Sequence, residues 1–387
     1  MVKNYDYARH NEEYLELTKD GRQPGRVTMT LSANPQVILA NPDNNPDGIT
    51  FEEYMGDFDV MIDVEARFQE YTANQYFCDR IMGFDNIDGL SFWLDSQNTI
   101  EHCHFGGKIA HHGVNVPSTV KYINDENKYK FTDRPFPSIE DGPFGRSFEF
   151  YTYCLDLQKK GFAWKGKPIK NVIYAGAGGT DGPITVACDL MGATEICIAL
   201  YEEEDFALDF LGYITDATIC RIKEARKKVG QPEKTPGLYF ADDCICLLSA
   251  DDYIRFMLPL HKRIFSELTT GEGPYGIHLC GDVTRHLLTI RDELNVTFFD
   301  TGYPIKHGKL MQDFGPDIGV SGGVHAALLL NGSEDAVRNE TRRILEEVKP
   351  HTRKFIMKEA NAVCTRTPTE NILAMYETVK KYGWYDN

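Results

Sequence analysis

The sequence lacks several features that would place the chain in a common class of protein. No run approaches 18 consecutive apolar residues, so we expect no membrane span. The first residues lack the basic-then-apolar pattern of a secretory signal, so we expect a cytoplasmic protein whose ten cysteines are reduced. There is no basic stripe and the formal net charge is −17, which argues against nucleic acid as a partner.

A dinucleotide-binding signature is also missing, because no Gly-x-Gly-x-x-Gly motif follows a predicted strand. The second half instead alternates short apolar strands with amphipathic helices. The predicted strands are 171–175, 237–241, 275–280, 296–300, 318–321 and 354–358, and the predicted helices are 203–228, 251–268, 284–294, 333–348 and 369–382. So many β-α units in one chain favour a closed (β/α)8 TIM barrel, of class α/β, over an open sheet.

The first half of the chain is less regular. We predict strands at 26–31 and 89–94 and a helix at 50–75. From 96 to 166 the sequence becomes polar and rich in proline and aromatic residues, which indicates an insertion near the barrel mouth. The prediction is therefore a single barrel domain over 1–387, with an N-terminal extension and with 96–166 as an insertion or lid.

The predicted insertion contains a group of histidines, namely His102, His104, His111 and His112. Ordinary surface histidines are the favoured interpretation of this group, and a second metal site is the alternative.

Polar residues follow five of the predicted strands. They are Asp242 and Asp243, then His278, Cys280 and Asp282, then Asp300, then His325 after the pair Gly322-Gly323, and last Glu359 to Cys364. In a barrel of this kind the active site lies where the strands end. The repetition at five strand ends therefore predicts a site there.

The most informative motif is the triplet His278-Leu279-Cys280. On a strand, residues two apart point to the same face. An imidazole and a thiolate side by side, with a second thiolate from Cys364, would form a three-ligand zinc site with an open fourth position, which is typical of catalytic zinc. The alternative is a core histidine beside two buried thiols. Among the remaining cysteines, Cys188, Cys197 and Cys220 are expected to fill the core.

Three further residues are candidates for catalysis. Asp243 is the preferred carboxylate near the metal, either as fourth ligand or as proton carrier, and its neighbour Asp242 should point elsewhere if the chain stays extended. Glu359 is the second carboxylate, with helix capping or a surface position as the alternative for both acids. His325 would orient substrate or be a structural histidine.

Several segments resemble the uroporphyrinogen decarboxylase superfamily, and the likeness runs from about Asn171 to the C-terminus. The matching segments are Gly182-Pro-Ile-Thr-Val-Ala-Cys-Asp-Leu-Met-Gly192, Leu200-Tyr-Glu-Glu-Glu-Asp-Phe206, Asp242-Asp243-Cys244, Leu258-Pro-Leu-His261, His278-Leu-Cys-Gly281, Asn331-Gly-Ser-Glu-Asp335 and Thr367-Pro-Thr-Glu-Asn-Ile372. The resemblance implies a (β/α)8 barrel, in agreement with the alternation of elements.

The superfamily has two branches. The decarboxylase branch carries Arg-Gln-Ala-Gly-Arg-Tyr after its first strand, whereas this chain has Thr30-Leu-Ser-Ala-Asn-Pro35 and no arginine there. The other branch contains zinc-dependent methyltransferases that act with corrinoid proteins, and its mark, His-x-Cys with a distant Cys, matches His278, Cys280 and Cys364. The resemblance therefore implies Zn²⁺, a corrinoid (cobalamin) carried by a partner protein, and a small methyl donor.

The metal ligands alone do not give the direction of transfer. The aromatic residues in and near the insertion favour a methoxylated, aromatic donor that is demethylated onto the corrinoid protein; they are Phe92, Trp93, Phe105, Phe144, Phe148, Phe150, Tyr151 and Tyr153. Packing within the insertion explains the same residues. The alternatives are a methylcobamide:thiol methyltransferase that acts on a coenzyme M-like thiol and, less favoured, a decarboxylase. A barrel that serves only as a binding subunit is disfavoured by the intact metal triad.

Overall fold

The computed structural model describes residues 5–21 and 23–385, which form alternating helices and strands. The helices are α1 (Tyr7–Leu17), α2 (Gln36–Leu39), α3 (Phe51–Gly56), α4 (Phe58–Gln75), α5 (Ile100–His104), α6 (Lys128–Phe131), α7 (Gly142–Lys159), α8 (Pro183–Met191), α9 (Ala193–Glu202), α10 (Glu204–Lys228), α11 (Ala250–Asp252), α12 (Leu258–Leu268), α13 (Thr284–Leu294), α14 (His307–Phe314), α15 (Ala326–Asn331), α16 (Glu334–Val348) and α17 (Thr369–Tyr382). The strands are β1 (Thr28–Met29), β2 (Leu90–Phe92), β3 (Lys108–His112), β4 (Asn115–Val120), β5 (Ala163–Trp164), β6 (Lys167–Val172), β7 (Leu238–Ala241), β8 (Tyr275–Leu279), β9 (Phe298–Thr301), β10 (Gly319–His325) and β11 (Phe355–Ala360).

The described residues divide into two compact units, each built from separate chain segments. The first unit takes the chain up to Leu90, the segment Ala163–Lys170 and the chain from Phe298 onward. The second unit takes Ser91–Phe162 and Asn171–Thr297. The single domain over 1–387 with 96–166 as an insertion stays a prediction.

The first unit contains four parallel strands in the order β1, β11, β10, β9. Val320 of β10 lies opposite Phe355 of β11, and the pairing continues to His325 opposite Ala360. Helices α14 to α17 connect or flank these strands, and β10 and β11 are mostly buried. Parallel strands covered by helices are buried on both faces, which agrees with β10 and β11, where no residue is exposed.

The second unit contains the parallel pair β7 and β8, in which Leu238 lies opposite Tyr275 and Ala241 opposite His278. Helix α10 packs here, with acidic residues in its first turn and basic residues in its last turn, a distribution that complements the helix dipole. Its buried face includes Phe206, Phe210 and Ile214, so the apolar spacing near 3.6 residues does mark the side that enters the core.

The α/β class with parallel strands, predicted from the sequence, is confirmed. Closure of eight strands into a barrel stays a prediction. Helices α13 and α17 have the bounds that the apolar periodicity predicted. The predicted helix 50–75 is instead two helices, because Asp57 ends α3 and its side chain caps α4 through the N–H groups of Asp59 and Val60.

The predicted end of the strand at 318–321 was wrong, since β10 runs through Gly322 and Gly323 and ends at His325 itself. Close packing within the first unit requires glycine at both positions, and Gly323 also has a φ of +151°, which other residues rarely adopt. A Cβ at Gly322 would lie 2.3 Å from His307 Nε2, and one at Gly323 would lie 2.6 Å from the Lys358 carbonyl oxygen.

The segment 96–166 has regular structure of its own in α5, the antiparallel hairpin β3–β4, α6 and α7. Several of its aromatic side chains are core residues and not part of an open wall; Phe105, Phe131, Phe144 and Phe150 are all buried. Packing therefore explains these four aromatic residues of the segment.

Within the part of the chain that the structure describes, no single helix has the length and apolar composition needed to cross a membrane. Helices α8 and α9 meet that test only as a pair, and they are bent by 109° relative to each other.

Candidate metal centre

Three metal-capable side chains converge in the second unit, namely Asp243, His278 and Cys280. Their ligand atoms all lie within 4.8 Å of one another. The His278 Nε2 atom is 3.2 Å from Cys280 Sγ and 3.9 Å from Asp243 Oδ1. All three side chains are partly exposed, so an ion and a substrate can reach them. This is the only such group among the residues at 5–21 and 23–385.

The strand register explains why these residues meet. His278 and Cys280 are two residues apart at the end of β8, so both point to one face. Ala241 lies opposite His278 in the parallel pairing, which carries Asp243, two residues further along, to the level of Cys280. The contact is made at that level, where the Cys280 N–H donates to Asp243 Oδ1 at 2.7 Å. The left-handed residue Gly281, with φ of +73°, then turns the chain away.

The donor set fits a zinc ion. Zinc in proteins takes imidazole nitrogen, thiolate sulfur and carboxylate oxygen, and tetrahedral bond lengths of about 2.0–2.3 Å place neighbouring ligand atoms about 3.5 Å apart. The separations of 3.2 Å and 3.9 Å around His278 Nε2 lie on either side of that value. A hard cation that prefers only oxygen would not suit a thiolate and an imidazole.

The electrostatics of Asp243 reflect its partly buried position. Burial raises the pKa of its carboxyl group, and the nearby Asp242 adds to this rise. The imidazole of His278 and the Cys280 N–H work in the opposite direction by favouring the charged form. A cation at the site would strengthen the second effect, so Asp243 is suited to bind a metal when ionised and to hold a proton otherwise.

Sequence reasoning missed one acid of this region, Asp181. Residue Asp181 pairs with Ala241 in a parallel bridge, so its carboxyl group lies near the end of β7. Burial, together with the negative charges of Glu101 and Asp243, raises its pKa well above the usual range. The sequence offers one signal for Asp181, because the segment Thr180-Asp181-Gly182 directly precedes Pro183, the first residue of α8. This segment was not predicted to be a strand end.

Asp242 points away from the three converging side chains, as the extended chain predicted. Its side chain is fully buried and accepts hydrogen bonds from Thr185 and His261. The two neighbouring carboxylates therefore lie in different places: that of Asp242 is in the interior, and that of Asp243 faces His278 and Cys280.

The remaining predicted site residues lie in the first unit. Cys364 follows β11 and is half-buried, and its carbonyl oxygen accepts the N–H and the hydroxyl of Thr367. Its role as a zinc ligand stays a prediction. His325 ends β10 with its ring 4.1 Å from that of Tyr303, centroid to centroid.

Glu359 is fully buried in β11. Its Oε1 atom accepts the Ser32 N–H at 2.9 Å, whereas its Oε2 atom has no hydrogen-bond partner within the described chain. Burial raises the pKa of this carboxyl group to about 8. Neither a surface position nor a helix-capping role therefore describes Glu359, and its catalytic role stays a prediction.

The histidines at 102–112 do not form a metal cluster in the part of the chain that the structure describes. His102 and His104 are buried in α5, whereas His111 and His112 are exposed on β3. The imidazole of His102 lies 3.0 Å from the Lys108 carbonyl oxygen, a local contact that needs no metal.

Three cysteines expected in the core are only half-buried, namely Cys188, Cys197 and Cys220. The Cys188 thiol donates a hydrogen bond to that of Cys244, and this bond raises the pKa of Cys188 and lowers that of Cys244. Cys188 therefore has a polar contact that the expectation of core packing did not include.

The sequence matches a family model described as "Uroporphyrinogen decarboxylase (URO-D)" over residues 174–382, more than half of the 387-residue chain. A methylated-thiol–coenzyme M methyltransferase of Methanosarcina mazei is 27% identical over 203 residues, which cover 51% of this chain and 51% of that protein. A uroporphyrinogen decarboxylase of Anaeromyxobacter dehalogenans is 26% identical over 209 residues, which cover 52% of this chain and 57% of that protein. The chain therefore spans about half the length of these two curated relatives.

A solved structure of a methyltransferase from Methanosarcina mazei aligns over 98% of this chain and 99% of its own. The TM-score is 0.63 and the sequence identity is 17%, which shows a shared fold.

Proposed function

Because the chain belongs to the uroporphyrinogen decarboxylase (URO-D) family, as its motifs indicated, we propose that it is a zinc-dependent methyltransferase of that family. In this proposal it moves a methyl group from a small methoxylated compound to the cobalt of a corrinoid carried by a partner protein. The observation that supports the proposal is the convergence of Asp243, His278 and Cys280 at the end of β8. A half-exposed imidazole, thiol and carboxylate in contact are typical of a catalytic metal site and not of a core.

The proposed zinc ligands are His278, Cys280 and Cys364, with Asp243 as fourth ligand or proton carrier. A zinc ion bound there would act as a Lewis acid on the departing oxygen, or would lower the pKa of a thiol substrate. The chain itself supplies the orientation, because the Cys280 N–H holds Asp243 Oδ1, the carboxylate oxygen that lies 3.9 Å from His278 Nε2. The raised pKa of Asp243 also suits it to hold a proton.

The nature of the donor is the finer part of the proposal. Half of the eight aromatic residues that favoured an aryl methyl ether are core residues, namely Phe92, Phe105, Phe144 and Phe150. We therefore propose that the C–O bond to the methyl group, and not an aromatic ring, defines the donor. A phenolate still leaves more readily than an aliphatic alkoxide, so aryl ethers should react faster for chemical reasons.

A second candidate is methyl transfer to or from a thiol. It is favoured by the curated relative named as a methylated-thiol–coenzyme M methyltransferase. The same three zinc ligands would serve both directions, because zinc would stabilise a departing ether oxygen or activate a thiol.

Decarboxylation is the least favoured candidate, although one relative carries that name. A substrate with many carboxylates needs clustered arginines, and the segment Thr30–Pro35 after β1 contains none. We expect no coproporphyrinogen from uroporphyrinogen when the purified protein is assayed.

The deciding experiment mixes zinc-loaded protein with a reduced corrinoid protein and separate methoxylated compounds or methylated thiols, and follows the cobalt(I) absorbance. Loss of that absorbance with ethers supports the proposal, and loss with methylated thiols alone supports the second candidate. The matched variants are Cys280→Ser, expected to be inactive, and Cys220→Ser, expected to behave as the wild type because its thiol donates to the Glu224 carboxylate of the same helix, α10. Coproporphyrinogen production, or no turnover with either donor class, would contradict the proposal.

A further inference from the structure

A series of hydrogen bonds next to Asp243 in the second unit joins Tyr253, His261, Asp242 and Thr185. The hydroxyl group of Tyr253 is 3.2 Å from His261 Nδ1, and His261 Nε2 is 2.8 Å from Asp242 Oδ2. The other oxygen of Asp242 accepts the N–H and the hydroxyl of Thr185, at 2.9 Å and 2.8 Å. The side chains of Tyr253, His261 and Asp242 have no exposed surface.

The chemistry of the groups determines which of them donates each hydrogen bond. An ionised carboxylate only accepts hydrogen bonds, so His261 Nε2 and both Thr185 groups donate to Asp242. A buried charge is tolerated when it is paired and hydrogen-bonded, and Asp242 receives three such bonds. It also lies at the N-terminus of α8, where the helix dipole favours a negative charge.

Thr185 connects this series of hydrogen bonds to both neighbours of Asp243 in the sequence. Its hydroxyl donates to the side chain of Asp242, which precedes Asp243, and accepts the N–H of Cys244, which follows it, at 3.1 Å. Close approach of α8 makes this contact possible, since a Cβ at Gly182 would lie 2.3 Å from Asp242 Cγ. The Asp242 side chain and the Cys244 peptide N–H, which precede and follow Asp243 in the sequence, are therefore both tied to one hydroxyl group.

We propose that Thr185, Asp242 and His261 are positioning residues that hold the Asp243 carboxylate at the metal site. None of the three is among the residues that converge on the site, and none donates an atom to it. They act through the backbone of residues 242–244, which sets where the Asp243 side chain leaves the chain. The inference rests on the proposed function only in requiring that a metal bind at His278 and Cys280.

The test compares Thr185→Val with Thr185→Ser in the full-length protein. Valine keeps the shape and loses the hydroxyl, whereas serine keeps the hydroxyl that makes both contacts. The matched control is Thr215→Val, because Thr215 is also a helical threonine, fully buried, whose hydroxyl binds only the Leu211 carbonyl oxygen of its own helix. The readouts are the dissociation constant for Zn²⁺, the visible absorption spectrum of the Co²⁺-substituted protein, and the melting temperature.

We expect Thr185→Val to weaken Zn²⁺ binding by about 10- to 100-fold, the usual effect of removing a group that orients a metal ligand. Its Co²⁺ absorption bands should also shift, since the carboxylate changes position. Thr185→Ser and Thr215→Val should keep wild-type affinity and spectrum, even where the melting temperature falls. His261→Asn should have the same effect as Thr185→Val. If the His261→Asn protein does not fold, the comparison of Thr185→Val with Thr185→Ser tests the proposal.

Wild-type affinity and an unchanged spectrum in a folded Thr185→Val protein would overturn the positioning role. So would an equal loss of affinity in Thr215→Val, because the effect would then follow stability alone. Different results would contradict the proposed function. The Cys280→Ser variant would bind Zn²⁺ and Co²⁺ as the wild type does, or the wild type would bind neither ion. Either of those results would also end the positioning proposal.

Discussion

The backbone N–H of Cys280 donates a 2.7 Å hydrogen bond to Oδ1 of Asp243. One residue thus brings a thiol to the site through its side chain and anchors the neighbouring carboxylate through its main chain. Substitution of the Cys280 side chain leaves that anchor in place, so Cys280→Ser removes sulfur without releasing Asp243. The two contributions of Cys280 can therefore be measured separately.

Asp243→Asn should weaken Zn²⁺ binding by at least about tenfold, since the amide can still accept the Cys280 N–H but has lost the charge that a cation requires. The measurement is a competition titration with a chromophoric chelator. Asp282→Asn is the control, because Asp282 is exposed and its side chain accepts hydrogen bonds only from Thr284. Unchanged affinity in Asp243→Asn would assign Asp243 to proton transfer alone.

Glu359→Gln should change how stability depends on pH. The ordinary pKa of a glutamate is 4.5, whereas burial raises that of Glu359 to about 8 in the folded protein. Between these values the unfolded chain releases the proton and the folded chain keeps it. The free energy of unfolding of the wild type should therefore fall as pH rises, by up to about 1.4 kcal/mol per pH unit from this group.

The glutamine variant cannot ionise, so its stability relative to the wild type should increase from pH about 5 to pH about 8 in urea unfolding curves. Glu126→Gln, at an exposed position, is the control and should show no such trend. Parallel pH profiles for Glu359→Gln and wild type would show that Glu359 is ionised in the folded protein at neutral pH.

The ion pair between Arg26 and Asp79 should be important for the stability of the first unit. Both side chains are buried, and Asp79 also accepts the N–H of Met29 and the hydroxyl of Tyr376. Asp79→Ala should lower the free energy of unfolding by about 3–5 kcal/mol, because it leaves a buried guanidinium unpaired. The exposed pair Lys19–Glu16 gives the comparison, and Glu16→Ala should cost less than about 1 kcal/mol. Equal losses in the two variants would contradict this account.

Periodicity and motif spacing predicted the elements that hold the site. The strand pair that carries His278 and the bounds of α13 and α17 follow from local patterns of apolar residues. Contact between His278 and Cys280 follows from the period of a strand. Asp243 was placed near them because its strand precedes theirs, and parallel neighbours end at the same edge.

Other features depend on tertiary contacts that no local pattern records. The role of Thr185 arises because α8 closely approaches the end of β7. That approach brings Gly182 against the side chain of Asp242, which lies sixty residues further along the chain. The extension of β10 to His325 follows from the lack of space around Gly322. Glycine pairs predict turns by their conformational freedom, whereas here Gly322 is needed for its small size and Gly323 for both its size and its φ of +151°.

The most direct test of the central claim is X-ray absorption spectroscopy at the zinc edge of the zinc-loaded protein. The proposed ligands His278, Cys280 and Cys364 predict one zinc per chain with two sulfur neighbours at about 2.3 Å and a shell of nitrogen and oxygen at about 2.0–2.1 Å. Cys364→Ser should reduce the sulfur count to one, and Cys220→Ser should leave it at two. A wild-type spectrum without sulfur, or a Cys364→Ser spectrum identical to that of the wild type, would contradict the account.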